Sequence, residues 1–183
     1  MSSSPATITP LEELLRVPLP RVEVGLGRAT GLDPLRCAEV TMEMKRWLWL
    51  CGRHRRDDAG GHPVPTTLPI FRCQQLLDEA WHTFILDTPA YHAFCDEHLC
   101  GFVHHVPELH DGASCLAGAA HSHRHFGHDD VAEVLGYVTR VLGPHTLWHW
   151  YVRDGLAANG VDAGDLPRHD APALTAALSQ LLV

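Results

Sequence analysis

The chain has 183 residues, 45% of them hydrophobic, which is enough for one real core and close to the usual size of a single domain. A net charge of −8 argues against a nucleic-acid backbone or an anionic membrane surface as partner. The N-terminal Met-Ser-Ser-Ser-Pro-Ala-Thr lacks the basic residues and apolar run of a signal peptide, and no apolar stretch approaches membrane-spanning length, so a cytoplasmic protein is expected.

Residues 1–8 read as a disordered N-terminus, with one helical domain over 9–183. Thr9 and Pro10 supply a cap and a first-turn proline for a short helix from Leu11 to about Val17. Pro18 and Pro20 stop it, and Arg21 to Ala29 continues as a weaker helix interrupted by Gly25 and Gly27. Asp33 and Pro34 open a stronger one, to about Cys51. Its apolar residues Cys37, Val40, Met44, Trp47, Leu48 and Cys51 recur at the three-and-four spacing of a buried face. Trp49 falls off that stripe and needs a loop or a partner to cover it. Residues 52–69 are basic, then rich in glycine and proline, and read as a solvated loop. Lys45, Arg46, Arg53, Arg55 and Arg56 form the one basic cluster.

A helical hairpin follows. Cys73, Leu77, Ala80, Trp81, Phe84 and Ile85 mark the buried stripe of its first helix, about 71–86. Asp87, Thr88 and Pro89 break the chain and cap the second helix, where Tyr91, Phe94, Cys95 and His98 recur at helical spacing. Gly101 ends it, and the pair His104 and His105 comes just before Pro107. Beyond a small-residue loop, His121, His123, His125 and His128 stand near the start of a helix from Val131 to about Leu142. Its stripe is Val131, Val134, Leu135, Val138 and Leu142. After Gly143 and Pro144, a helix over about 145–155 carries His145 and His149 four residues apart, with Leu147, Trp150 and Tyr151 as core. Asp170 caps the last helix, with Leu174, Leu178, Leu181 and Leu182 on its buried side. At least five helix signals and no period-two alternation predict an all-α fold built around the central hairpin.

Fifteen histidines are the compositional outlier. Neutral imidazole binds zinc, iron and copper, and three such ligands leave a position open for water or substrate. His82, His104 and His105 are the natural trio, and because neighbouring side chains point apart, one of the last two is expected to coordinate. A ligand from His121, His123, His125, His128, His145 or His149 could complete the set. Asp78 lies one turn before His82, where a carboxylate can hold one imidazole nitrogen and leave the other for a metal. Trp81, Tyr91 and Cys95 surround the same site. No glutamate follows His145, so the zinc-protease pattern is not met. The six cysteines, at 37, 51, 73, 95, 100 and 115, form no Cys-x-x-Cys pair and are expected to be reduced. Cys95 could pair with His92 or His82 as a nucleophile, or be a buried structural thiol. Two function classes stay open: a histidine-ligated metalloprotein, enzymatic toward a small molecule or peptide, or a non-catalytic helical interaction module with structural histidines.

The pattern Asp78-x-x-Trp81-His82-x-x-Ile85-x-x-Thr88-x-x-Tyr91-x-x-Phe94-Cys95, then Gly101-Phe-x-His104-His105-x-Pro107, resembles the glycine-rich domain-containing protein-like family. The likeness covers roughly residues 30–110, and Lys45-Arg46-Trp47-Leu48 falls where that family has its upstream helix. It implies an all-helical region with a Trp-His motif and a later His-His-x-Pro, without an assigned reaction. Many relatives read Trp-His-x-His where this chain has Trp81-His82-Thr83-Phe84, so a second histidine on that helix is absent.

Overall fold

A computed structural model describes residues 7–105, 115–116, 127–156, 166–167 and 170–182. The fold is all-α, as the periodicities predict, with one two-residue antiparallel strand pair, Pro69–Ile70 (β1) against Cys115–Leu116 (β2). Among the described residues no helix is long and apolar enough to cross a membrane. The chain forms two compact units.

The first unit is built from α1 (Leu11–Arg16), α2 (Pro20–Thr30), α3 (Pro34–Ala59), α4 (Gln75–Leu86) and α5 (Thr88–His98), and runs to Val103. Its axis is α3. Asp33 Oδ1 accepts from the Arg36 N–H at 3.0 Å and Pro34 fills the first turn, a strong start signal. Cys37, Val40, Met44, Trp47, Leu48 and Cys51 are all buried along it, as their spacing requires. Gly25 explains why α2 survives two glycines: a Cβ there would lie 2.6 Å from Thr83 Cγ2, so the bare backbone is what lets α2 approach α4.

Several expectations are corrected here. The stretch read as a basic loop from residue 52 is helical as far as Ala59, adding two turns to α3. Arg53 pairs with Asp57 one turn on, at 2.8 Å, and the arginines are good helix formers. Gly52 is tolerated mid-helix because Ile8 and Leu99 close over it: a Cβ would meet Ile8 Cδ1 at 2.9 Å. Lys45 does not belong to the solvated cluster. It is buried, and its Nζ donates to the Leu15 and Val17 carbonyls at 2.6 and 2.9 Å, satisfying the end of α1. Trp49 is covered by the N-terminal segment, with Nε1 donating to the Thr9 carbonyl at 2.8 Å. Thr9 itself does not cap α1. Its N–H donates to the His98 carbonyl instead.

The second unit contains α6 (His128–Leu142), α7 (Pro144–Leu147), a π-helix over Trp148–Leu156 and α8 (Ala171–Leu181), together with β1, β2 and a 3-10 turn at Arg72–Gln74. Val131, Val134, Leu135 and Val138 are buried as predicted, joined by Tyr137. Asp130 closes the first turn of α6, accepting the Gly127 N–H at 3.0 Å. Asp170 caps α8 through the Ala173 N–H, as expected, and Leu174 and Leu178 are buried. Leu181, expected inside, is 49% exposed, because it lies in the last turn, beyond the packed part of the stripe. Phe71 meets Tyr151 edge-on at 5.8 Å, and Gly155 sits so close to Cys73 that a Cβ would lie 2.8 Å from its Cβ.

Candidate metal centre

The site begins with α4. Helical spacing puts Asp78 and His82 on one face, and His82 Nδ1 lies 3.4 Å from Asp78 Oδ2. The neighbouring face of α4 is buried. Trp81 is 2% exposed, and its Nε1 donates to Tyr91 Oη at 3.0 Å. The α4–α5 hairpin is closed by aromatic rings: Phe84 meets Tyr91 at 5.1 Å and Phe94 at 5.2 Å, both edge-on. With Trp81 and Phe84 held inward, His82 is turned outward on the same helix, its side chain 46% exposed.

After α5 the chain turns sharply. Cys100 has φ 45° and Gly101 φ 119°, both left-handed, and the non-glycine residue is strained there. External donors hold this turn. Arg55, in the part of α3 read as a loop, donates from Nη1 to the Phe102 carbonyl at 2.7 Å and from Nη2 to the Leu99 and Gly101 carbonyls at 3.1 and 2.8 Å. Tyr91 Oη donates to the Val103 carbonyl at 2.5 Å, and the Tyr91 ring also stacks edge-on against Phe102 at 5.1 Å. Two residues beyond this anchored carbonyl stands His105.

Asp78, His82 and His105 can each offer one ligand atom, and those atoms lie within 4.8 Å of one another. The structure thus carries a His/Asp group able to hold a metal ion. The donor set fits one: imidazole nitrogen and carboxylate oxygen suit zinc, iron and copper, and two histidines with one carboxylate leave positions open. The 3.4 Å between Asp78 and His82 is the spacing of two ligands about 2.0–2.1 Å from a tetrahedral ion. Asp78, expected to hold one imidazole nitrogen of His82, also offers a carboxylate oxygen of its own to the group. His105, and not the exposed His104, is the member of the pair brought to the site.

The other expected residues lie elsewhere. His128 Nδ1 is 2.9 Å from the Ser179 carbonyl and ties α6 to α8. His145 and His149 stack at 4.5 Å between centroids, inclined by 36°. His121, His123 and His125 lie outside the described residues. Cys95 is fully buried, facing Tyr91 and the Val103 main chain, and burial pushes its thiol pKa up, the opposite of an activated nucleophile. Burial likewise pushes the Tyr91 phenol well above its ordinary range, so its hydroxyl remains a donor at any physiological pH. The residue that sequence reasoning missed is Arg55. Its signal was present: it continues the Leu48 and Cys51 spacing, and the last carbonyls of α5 need donors from somewhere.

Residues 30–114 match the family model described as UCP032817-like. The match covers just under half of the chain and takes in the helix α3, the hairpin and the His104–His105 turn. It corrects the expected likeness to the glycine-rich domain-containing protein-like family, which is not the family that matches. The residues that suggested that likeness, Trp81, Tyr91, Phe84 and Phe94 among them, are the packing residues of an aromatic hairpin, and such positions tolerate the same side chains in unrelated helical proteins. Neither a curated protein nor a solved structure matches the chain.

Proposed function

We propose that the chain is a metal-binding protein whose centre is formed by Asp78, His82 and His105, taking one zinc, iron or copper ion. The observation that supports this reading is the convergence of two imidazoles and a carboxylate within 4.8 Å, from a helix and a turn that is itself held at four carbonyls. The half-exposed His82 leaves the centre open to solvent, which favours a small molecule or an exposed peptide as the species that meets it. A bound divalent ion would supply Lewis acidity toward a carbonyl or phosphoryl oxygen. The chain's own residues do the holding: Asp78 and His82 lie one turn apart on a rigid helix, and His105 is delivered by the turn.

Metal analysis of tag-free protein tests the reading. Wild type should carry close to one equivalent, His82→Ala and His105→Ala should lose it, and Asp78→Asn should weaken it. His104→Ala should retain it. Equal metal content in wild type, His82→Ala and His105→Ala would show that the three residues are a surface cluster and leave the helical-module reading standing.

A further inference from the structure

We infer that Arg55 and Tyr91 are positioning residues of the metal centre, which set its affinity by fixing the main chain that delivers His105. The inference rests on the metal reading above and extends it to residues that touch no metal. Two ligands, Asp78 and His82, share one helix and need no further alignment. The third comes from a turn whose backbone has two successive left-handed residues, Cys100 and Gly101, a conformation that does not persist without external support. That support is specific. One guanidinium takes the carbonyls of Leu99, Gly101 and Phe102, and one phenol takes that of Val103. Four of five consecutive carbonyls are thereby fixed from two different helices, and the last of them is two residues from His105.

The phenol is in turn fixed. Trp81 Nε1 donates to Tyr91 Oη, which occupies the hydroxyl as an acceptor while its own hydrogen goes to the Val103 carbonyl. Trp81 directly precedes His82, and one chain of hydrogen bonds therefore runs from the ligand helix through Tyr91 to the ligand turn. Residues that orient ligands through such contacts typically set metal affinity over one to two orders of magnitude. A lysine at position 55 keeps the charge but cannot span three carbonyls as a planar fork does. A phenylalanine at 91 keeps the ring and its packing against Phe84 while removing the donor.

The test is titration of full-length wild type, Arg55→Lys and Tyr91→Phe with cobalt(II) alone, followed by its absorption bands, with the helicity and melting temperature of each metal-free protein measured in parallel. Both variants should remain helical, bind cobalt(II) ~10–100-fold more weakly and show altered bands. Lys45→Met serves as the comparison. It removes two hydrogen bonds to the end of α1 from the middle of α3, ten residues before Arg55, and should lower the melting temperature with cobalt(II) affinity unchanged. Wild-type affinity and bands in Tyr91→Phe, the variant least able to disturb folding, would overturn the inference even if the metal reading holds. So would a Lys45→Met loss as large as the other two, since stability alone would then account for it. Absence of cobalt(II) binding in wild type, or binding untouched by His82→Ala, would instead remove the metal reading, and this inference with it.

Discussion

Trp81 and His82 are adjacent in sequence and opposite in character, and the helix is what separates their roles. One residue is 100° around α4 from the other, so the indole enters the core and the imidazole stays at the surface. Trp81→Ala is therefore expected to destabilise the protein by about 3–5 kcal/mol, the usual range for a large buried aromatic. Trp81→Phe keeps most of the volume and loses the N–H to Tyr91, so about 1 kcal/mol is expected. Urea denaturation of the two variants separates packing from hydrogen bonding, and equal losses would mean that the indole N–H, which both variants remove, matters more than the volume of the ring. At this scale the sequence was informative about type and less so about pairing. The spacing of Asp78 and His82 was legible as a shared face, because it depends only on helical geometry. Whether His104 or His105 joins them was not, because it depends on the backbone angles at Cys100 and Gly101, and those follow from bonds to Arg55 and Tyr91.

Helices with strong periodic stripes were legible as elements: α3 buries every residue its spacing predicts, and α4, α5 and α6 bury most of theirs, with Ile85, His98 and Leu142 only half-buried at the edges of the stripes. Boundaries were less so. The extension of α3 past Cys51 was hidden by a glycine and a run of charges, which locally read as loop. It is tertiary contacts, Ile8 and Leu99 on Gly52 and the turn carbonyls on Arg55, that make helix the better state there. The same kind of contact appears between α2 and α4, where Gly25 admits Thr83. Gly25→Ala improves local helix propensity by about 1 kcal/mol. The added methyl nevertheless meets a short, β-branched side chain at 2.6 Å, and overpacking of this kind costs about 1–3 kcal/mol. The net effect expected is destabilising, and Gly25→Ala combined with Thr83→Ser, which removes the opposing methyl, should recover it. A double-mutant cycle by thermal denaturation measures the coupling.

For the molecule as a whole, several buried groups titrate abnormally at high pH. Burial raises the thiols of Cys51 and Cys73 to about 12 from an ordinary 9.0, and the Tyr91 and Tyr151 phenols also move up. Their neutral forms are favoured in the folded state, so the stabilisation is full below pH 9 and is lost as pH rises towards 12, while the unfolded chain ionises first. Lys45 acts in the opposite sense. Its burial lowers its pKa, so its penalty is relieved as pH rises towards 10.5. With the Cys95 thiol raised in the same way, one lysine opposes five acids, and melting temperature is expected to fall between about pH 9 and 11. Cys51→Ala and Cys73→Ala should each flatten the slope, one through each compact unit. A melting temperature constant over that range would mean that the thiols reach water in the native state.

The manner in which the ligand turn is held has a consequence for descent. Arg55 and Tyr91 grip only main-chain oxygens, which every residue type provides. Side chains at 99, 100 and 102 are therefore freer to drift among relatives than the two residues that hold them. The length of the segment is not free: one inserted residue would offer the guanidinium the wrong carbonyls and carry His105 away from α4. In an alignment the expected record is thus an invariant spacing from 91 to 105 around variable letters, with an arginine at position 55, in a different helix and far back in the chain, retained wherever the two histidines and the aspartate are retained together.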